Sequence, residues 1–121
     1  MADHRFVVKR VYEPAGGADG FRVLVDRLWP RGVNRDKARI DLWLKEIAPS
    51  DHLRKEFHGH PDKWSEFVKA YRAELKSETG QAAIAQLMEA SKKKTVTLLY
   101  AARDEEHNNA VALQSFLVAK N

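Results

Sequence analysis

Two apolar runs constrain the fold of this chain more than any other feature. The first, Val23–Val25, is continuously apolar, and the second, Thr95–Tyr100, is strongly apolar. A strand with one face in water alternates apolar and polar residues, whereas a continuous apolar run is typical of a strand covered on both faces. Such strands belong to sheets that carry packed layers on both sides, so the runs predict an α/β domain with an at least partly parallel sheet.

The rest of the pattern predicts the element order β-β-(β)-α-α-α-β-α. Residues 6–12 and 21–28 read as the first two strands. The loop 14–20 is too short for a crossover helix, so these strands are either an antiparallel pair or neighbours of a third strand. Residues 40–44 alternate and fit a short strand or one helical turn. The fold class is a single small α/β domain over residues 1–121, its short sheet flanked by helices.

Four helices are expected after the second strand. Ser50 is a good N-cap for the first. The second carries one apolar stripe along its length: Trp64, Phe67, Val68, Tyr71 and Leu75. The third runs over about residues 80–93. Asp104 is predicted to cap the last helix, with acidic residues 105–106 in its first turn.

Cysteine usage and the N-terminal sequence exclude several classes of protein. The chain has no cysteine, which removes disulfides, thiolate catalysis and thiolate metal sites. Residues 1–5 lead directly into a strand pattern and lack the apolar core of a signal peptide. No apolar run approaches the roughly 20 residues of a membrane span. A cytoplasmic location without membrane association is therefore expected.

The charge of the chain is mildly basic and widely spread. Its net charge is +4, from 21 Lys and Arg against 17 Asp and Glu. Nucleic-acid binders concentrate such charge in one patch, but here acidic residues are interspersed. The one dense basic run, Lys92–Lys94, falls where a helix should end and suits the helix dipole there. It is interpreted as a solvated helix terminus, and nucleic-acid binding is kept as an alternative.

Charged residues follow both apolar runs at the points where the strands should end. Ligands of open α/β sheets bind beyond the carboxyl ends of the strands. Asp26, Arg27 and Arg31 follow the first run, and Arg103 and Asp104 follow the second. Because guanidinium offers a permanently charged fork, these segments predict a site for phosphate, nucleotide or carboxylate. The alternative is structural ion pairing of Asp26 with Arg103 or Arg31, and of Asp104 with Arg27.

Three further residues are assigned to this site. If the site performs a reaction, Asp26 or His107 is the expected acid or base, since the ordinary histidine pKa is about 6.5. His107 could equally hydrogen-bond the Asp26 carboxylate and do nothing else. Asn108 is a poor residue for a helix interior, so it is expected for its side-chain hydrogen bonds. Trp29, which precedes Pro30 in a turn, is expected to wall the pocket.

No metal or other cofactor is predicted. His58 and His60 suggest a metal at first glance, but zinc takes three or four protein ligands in its usual sites. No further ligand pair stands at a recognisable spacing, and cysteine is absent. The two histidines are interpreted as surface or capping residues.

The chain resembles the domain-of-unknown-function 488 family, in its YeaO-like branch. The resemblance extends from about residue 8 to residue 117, and its motifs occur in order. They comprise Arg22–Gly32, Trp43-Leu44, Ala48-Pro49-Ser50, the Phe57, His60-Pro61, Trp64, Phe67 and Tyr71 series, Leu98–Asp104, and His107-Asn108. The resemblance implies a compact α/β fold in a bacterial or archaeal cytosolic protein. It implies no activity.

One departure from the wider family bears on chemistry. Members of the wider family, which this chain resembles, carry a cysteine at the position of Tyr100. They also carry a Cys-His-Arg triplet near residues 108–110, where this chain has Asn, Asn and Ala. The resemblance would connect such residues with thiol chemistry or metal binding. Neither can operate through cysteine here.

Three functional hypotheses result from the sequence. The leading one is a small protein that binds an anionic ligand at the strand ends, with or without acid/base catalysis. The second is a nucleic-acid-binding accessory protein that uses Lys92–Lys94 and scattered arginines. The third is an interaction module without a ligand, in which the charged residues form a structural ion-pair network. The sequence leaves the oligomeric state and the convergence of the two charged segments open.

Overall fold

The fold is built on a parallel sheet, seen here in a computed structural model that describes residues 5–119. Within that range the strands are β1 (Phe6–Arg10), β2 (Phe21–Leu24), β3 (Leu42–Trp43) and β4 (Val96–Tyr100). They pair in the order β1-β4-β2-β3, and every pair is parallel. β4 has a partner on both sides, as its strongly apolar sequence predicts.

Four α-helices complete the described part of the chain. They are α1 (Asp51–Phe57), α2 (Trp64–Glu74), α3 (Glu78–Ser91) and α4 (Asn109–Ala119). Short 3-10 turns precede β2, α1 and α2. The observed order agrees with the predicted one, and the α/β class is confirmed. No helix within residues 5–119 is both long enough and apolar enough to cross a bilayer.

The two faces of the sheet bury alternate residues of the same strands. Val23 and Leu98 lie on the face that packs against the helices. Leu24 and Leu99 lie on the opposite face, which the irregular segment 26–41 covers. All four side chains are fully buried. The two apolar runs therefore reflect a sheet covered on both sides, although one cover is an irregular segment rather than a helical layer.

The connection between β1 and β2 takes the second of the two predicted forms. The strands are neighbours of a third strand, because β4 inserts between them and pairs in parallel with each. The segment at residues 40–44 also takes one of its two predicted forms, since Leu42–Trp43 pairs with β2 as a short strand.

The expected cap of α1 is confirmed, but the cap of α4 lies elsewhere than predicted. The Ser50 hydroxyl accepts a hydrogen bond from the Leu53 N–H. α4 begins at Asn109, and Asn108 Oδ1 accepts from the Val111 N–H at 2.9 Å. The prediction of Asp104 as this cap was wrong, because its carboxylate instead accepts from the Glu106 and His107 N–H groups and caps a separate turn. Glu105 and Glu106 therefore lie outside the first turn of α4.

A buried ion pair occupies the helix-free face of the sheet. Arg22 is 2% exposed and contacts the Asp19 carboxylate, which also pairs with Lys9 at 3.1 Å. The remaining Arg22 donors bond the carbonyl oxygens of Ala38 and Arg39. A structural ion-pair network thus exists in this fold, but it involves none of the residues assigned to the site.

Candidate functional site

A cavity of about 720 Å³ opens at the ends of β2 and β4. Its walls come mainly from residues 26–28 after β2, residues 57–61 at the end of α1 and in the loop after it, residues 101–104 after β4, and residues 107–109 at the start of α4. Parallel strands bring the two charged segments to one edge of the sheet, so the convergence that the sequence leaves open does occur. We refer to this cavity as the cleft.

Asp26 connects the two charged segments within the cleft. Its Oδ2 accepts from the Ala101 N–H at 2.9 Å, and its Oδ1 accepts from Asn109 Nδ2 at 3.0 Å. Asn109 Nδ2 also donates to the Val25 carbonyl oxygen at 3.0 Å. Burial raises the pKa of Asp26, and the two hydrogen bonds and the positive charge of Arg54 offset this only in part.

A raised pKa gives a testable dependence of stability on pH. Because the folded state holds the Asp26 proton more tightly, wild-type stability should fall, relative to Asp26→Asn, as pH rises from about 4 through the raised pKa. The side-chain NH₂ group of the asparagine would also face one of the two donors that now bind Asp26, the Ala101 N–H or Asn109 Nδ2. This lowers the free energy of unfolding by about 1 kcal/mol at every pH. Parallel urea unfolding of both proteins across pH checks this.

Asp104→Asn is the matched control with the opposite sign. The backbone N–H groups of Glu106 and His107, together with the His107 side chain, hold the pKa of Asp104 below its usual range. The stabilising effect of its charge is thus present above about pH 4 and disappears as pH falls through the lowered pKa. If the difference between wild type and Asp26→Asn does not change with pH, the assignment of a buried acid is wrong.

The arginines of the cleft differ in how they are bound. Arg27 donates from Nε to the Pro49 carbonyl oxygen at 3.0 Å and from Nη2 to that of Ala48 at 3.3 Å, which holds the end of β2 against the start of α1. Arg103 is exposed, and its guanidinium has no hydrogen bond or ion pair within residues 5–119. The ion pairs considered for Asp26 and Asp104 with arginine do not form.

His107 contacts the other carboxylate of the cleft rather than Asp26. Its Nδ1 lies 3.2 Å from Asp104 Oδ2, and its ring meets Trp64 edge-on at 5.1 Å between centroids. Asn108 is buried, lines the cleft and donates from Nδ2 to the Asp104 carbonyl oxygen at 2.9 Å. The two candidate acid/base groups therefore line one cavity without a hydrogen bond between them.

Trp29 and Arg31 do not line the cleft, which corrects two of the sequence assignments. After Leu28 the chain crosses to the helix-free face of the sheet. There Trp29 packs edge-on against Trp43 at 5.3 Å and donates to the Val33 carbonyl oxygen at 3.0 Å. Arg31 is exposed, and its carbonyl accepts from the Tyr12 hydroxyl. Closeness in sequence to the end of β2 placed both at the site.

Sequence reasoning missed several residues that line the cleft. Arg54 adds a third arginine, and the loop that carries His58 and His60 forms one wall. Phe57 and Phe67 contribute aromatic surface and lie 4.6 Å apart between ring centroids. Spacing within α1 and α2 marks these two rings as core residues, and no local signal shows that they also face a cavity. No group of three or more His, Asp or Glu side chains in the described range could hold a metal ion.

Comparison with known sequences assigns the chain to a family. Residues 5–121 match the family model DUF488-N3i, described as "Inactive DUF488-N3 subclade". The chain belongs to the DUF488 family. The uncharacterized protein YeaO of Escherichia coli K12 is 44% identical over 109 residues, which are 90% of this chain and 93% of that protein. The uncharacterized protein Rv3073c of Mycobacterium tuberculosis H37Rv is 39% identical over 117 residues, 97% of each chain.

These matches confirm the DUF488 membership and the YeaO-like character predicted from the motifs. No solved structure matches the chain. Tyr100, which stands where the resemblance puts a cysteine in broader DUF488 members, is buried at the end of β4. In this DUF488 chain the position therefore contributes to the core that packs against the helices.

Proposed function

We propose that the protein binds a small anionic ligand, a phosphate, nucleotide or carboxylate, in the cleft. The carrying observation is that one cavity is lined by Arg27, Arg54 and Arg103 together with three histidines. Guanidinium is permanently charged and matches phosphate and carboxylate geometry. The volume falls in the range of about 300–1,000 Å³ that is usual for small-molecule pockets.

Binding without catalysis is the form of this proposal that the observations favour. Asp26 and His107 have separate hydrogen-bond partners, so neither prepares the other for proton transfer. The matching family model is described as inactive, and the chain lacks the cysteine of broader members. We therefore treat the cleft as a binding site. The cytoplasmic location expected from the sequence stays a prediction.

Arg103→Ala should weaken ligand binding without loss of the fold. Its guanidinium lines the cleft and has no partner among residues 5–119, so truncation leaves no buried group unpaired. A hydrogen bond to a charged group contributes about 1.5–3 kcal/mol, or roughly tenfold to a hundredfold in affinity. A thermal-shift panel of phosphate, sulfate, nucleotides and carboxylates at fixed ionic strength selects the ligand, and calorimetry then gives the affinities.

Arg31→Ala is the matched control, since it removes an exposed side chain of the same type that lies outside the cleft. Wild type and Arg31→Ala should bind alike. Equal affinity of Arg103→Ala and wild type contradicts the proposed site. If binding is instead limited to nucleic acid, with a logarithm of affinity that falls steeply with the logarithm of salt concentration, the Lys92–Lys94 hypothesis replaces this one.

A further inference from the structure

We infer that the anion this cleft accepts is the phosphate of a sugar phosphate, either free or within a nucleotide, and that Asp26 and Asn109 recognise its hydroxyl groups. The inference rests on the proposed function and adds to it the second half of the ligand. It is based on a division of the cleft into an acceptor-rich inner wall and a cationic rim.

The inner wall presents hydrogen-bond acceptors whose donors must come from a ligand or solvent. An ionised carboxylate has about four lone-pair sites, and Asp26 uses two of them, for Ala101 and Asn109. Both hydrogens of Asn109 Nδ2 are engaged, by Val25 and Asp26. This fixes the amide orientation, and Asn109 Oδ1 accepts no hydrogen bond within residues 5–119.

The rim presents donors and positive charge. Arg103 is exposed with its guanidinium unengaged by the described residues, and His58 and His60 are exposed on the opposite loop. A phosphate is an acceptor and carries negative charge, so the carboxylate of Asp26 repels it from the inner wall. The positive charge at the rim attracts the same phosphate. The other end of the ligand must therefore carry neutral hydrogen-bond donors for the acceptors of the inner wall.

Hydroxyl groups satisfy the inner wall better than a ligand amine. An ammonium group would pair with Asp26, but it would also meet the positive charge of Arg54, which lines the same cleft. A hydroxyl group donates to the carboxylate without that repulsion. The apolar surfaces of Phe57, Phe67 and Pro49 offer contact for the C–H face of a sugar or for a base.

The test compares ligands that differ only in the inferred features. Calorimetry at fixed ionic strength would use inorganic phosphate, ribose 5-phosphate, 2-deoxyribose 5-phosphate and adenosine 5′-monophosphate. Wild type should bind ribose 5-phosphate roughly tenfold or more tightly than phosphate, because hydrogen bonds to a charged group are added. Removal of the 2-hydroxyl should cost a measurable part of that gain, because one hydroxyl fewer is left to donate to the inner wall.

The protein variants separate the two halves of the site. Asp26→Asn should lose the preference for ribose 5-phosphate over phosphate, and its phosphate affinity should not fall because the repelling charge is removed, whereas Arg103→Ala should weaken the binding of both ligands. The deoxy ligand tests the inner wall on the wild-type protein even if Asp26→Asn folds poorly. Tighter binding of the nucleotide, still dependent on Asp26, supports the inference and identifies the nucleotide as the source.

The failures of the two proposals can be told apart. Equal affinity of wild type for phosphate and for all three sugar-containing ligands overturns this inference, while loss of phosphate binding in Arg103→Ala still supports the anion site. Absence of binding for every ligand overturns both.

Discussion

Arg22→Met should lower the free energy of unfolding by about 3–5 kcal/mol, which is the usual cost of removing one partner from a buried charge pair. Arg22 is 2% exposed, contacts Asp19, and donates to the Ala38 carbonyl oxygen at 2.8 Å from Nη2 and 3.1 Å from Nε. Methionine fills much of the volume but supplies no donors. Urea unfolding at neutral pH measures the loss.

Lys9→Met is the control for this network. Lys9 binds the same Asp19 carboxylate, but its side chain is 21% exposed, and partly exposed pairs contribute about 0–1 kcal/mol. The variant should therefore be much closer to wild type. If both substitutions cost the same, the buried carbonyl contacts of Arg22 contribute little, and the special position of Arg22 is refuted.

Acid should reduce the difference between wild type and Arg22→Met. Burial disfavours the charged form of Asp19, but the Gly16 N–H, Lys9 and Arg22 outweigh it and lower the pKa. The stabilising effect of the charge is thus fully present above about pH 4 and lost as pH falls through the lowered folded pKa. Arg22 belongs to the Arg22–Gly32 segment that resembles the family, and this network gives it a structural role there.

The sequence predicts the strands and element order well because these depend on local pattern. Val23–Val25 is continuously apolar and Val96–Tyr100 is apolar except for Thr97, and such sequences are typical of strands that are covered on both faces. Ser50 is also readable, since its hydroxyl bonds an N–H three residues away. The cap of α4 cannot be predicted from local sequence, because Asp104 and Asn108 are both good caps. Only the packing of α4 selects Asn108.

The site is only partly readable because its contacts are distant in sequence. The strand-end rule brings Asp26 and Arg103 to one cleft. The rule does not predict the path of the irregular segment that follows a strand. After Leu28 this segment crosses to the helix-free face of the sheet and carries Trp29 away from the cleft. Asn109 binds Val25 and Asp26 across more than 80 positions of sequence. No spacing rule connects such residues.

The entry to β2 should be the least tolerant backbone position for a small substitution. Gly20 has a φ of 66°, and a Cβ added there would collide with the Thr95 carbonyl oxygen, which accepts the Phe21 N–H at 2.8 Å. The positive φ, combined with a ψ of −126°, strains an L-residue by about 1–3 kcal/mol, and overpacking against backbone adds about 1–3 kcal/mol. Gly20→Ala should thus lose about 2–6 kcal/mol in urea unfolding.

Two glycines of the same chain separate these contributions. Gly32 has a φ of 75° but no atom within 4 Å of an added Cβ, so Gly32→Ala should carry the backbone cost alone. Gly17 has neither the positive φ nor a close neighbour, and Gly17→Ala should be near neutral. Equal losses at Gly20 and Gly32 would refute the close approach of β2 to β4.

That approach also sets the register of the two strands, and their far ends hold Asp26 against Ala101. A Gly20→Ala protein that stays folded should therefore bind the cleft ligand more weakly than Gly32→Ala does.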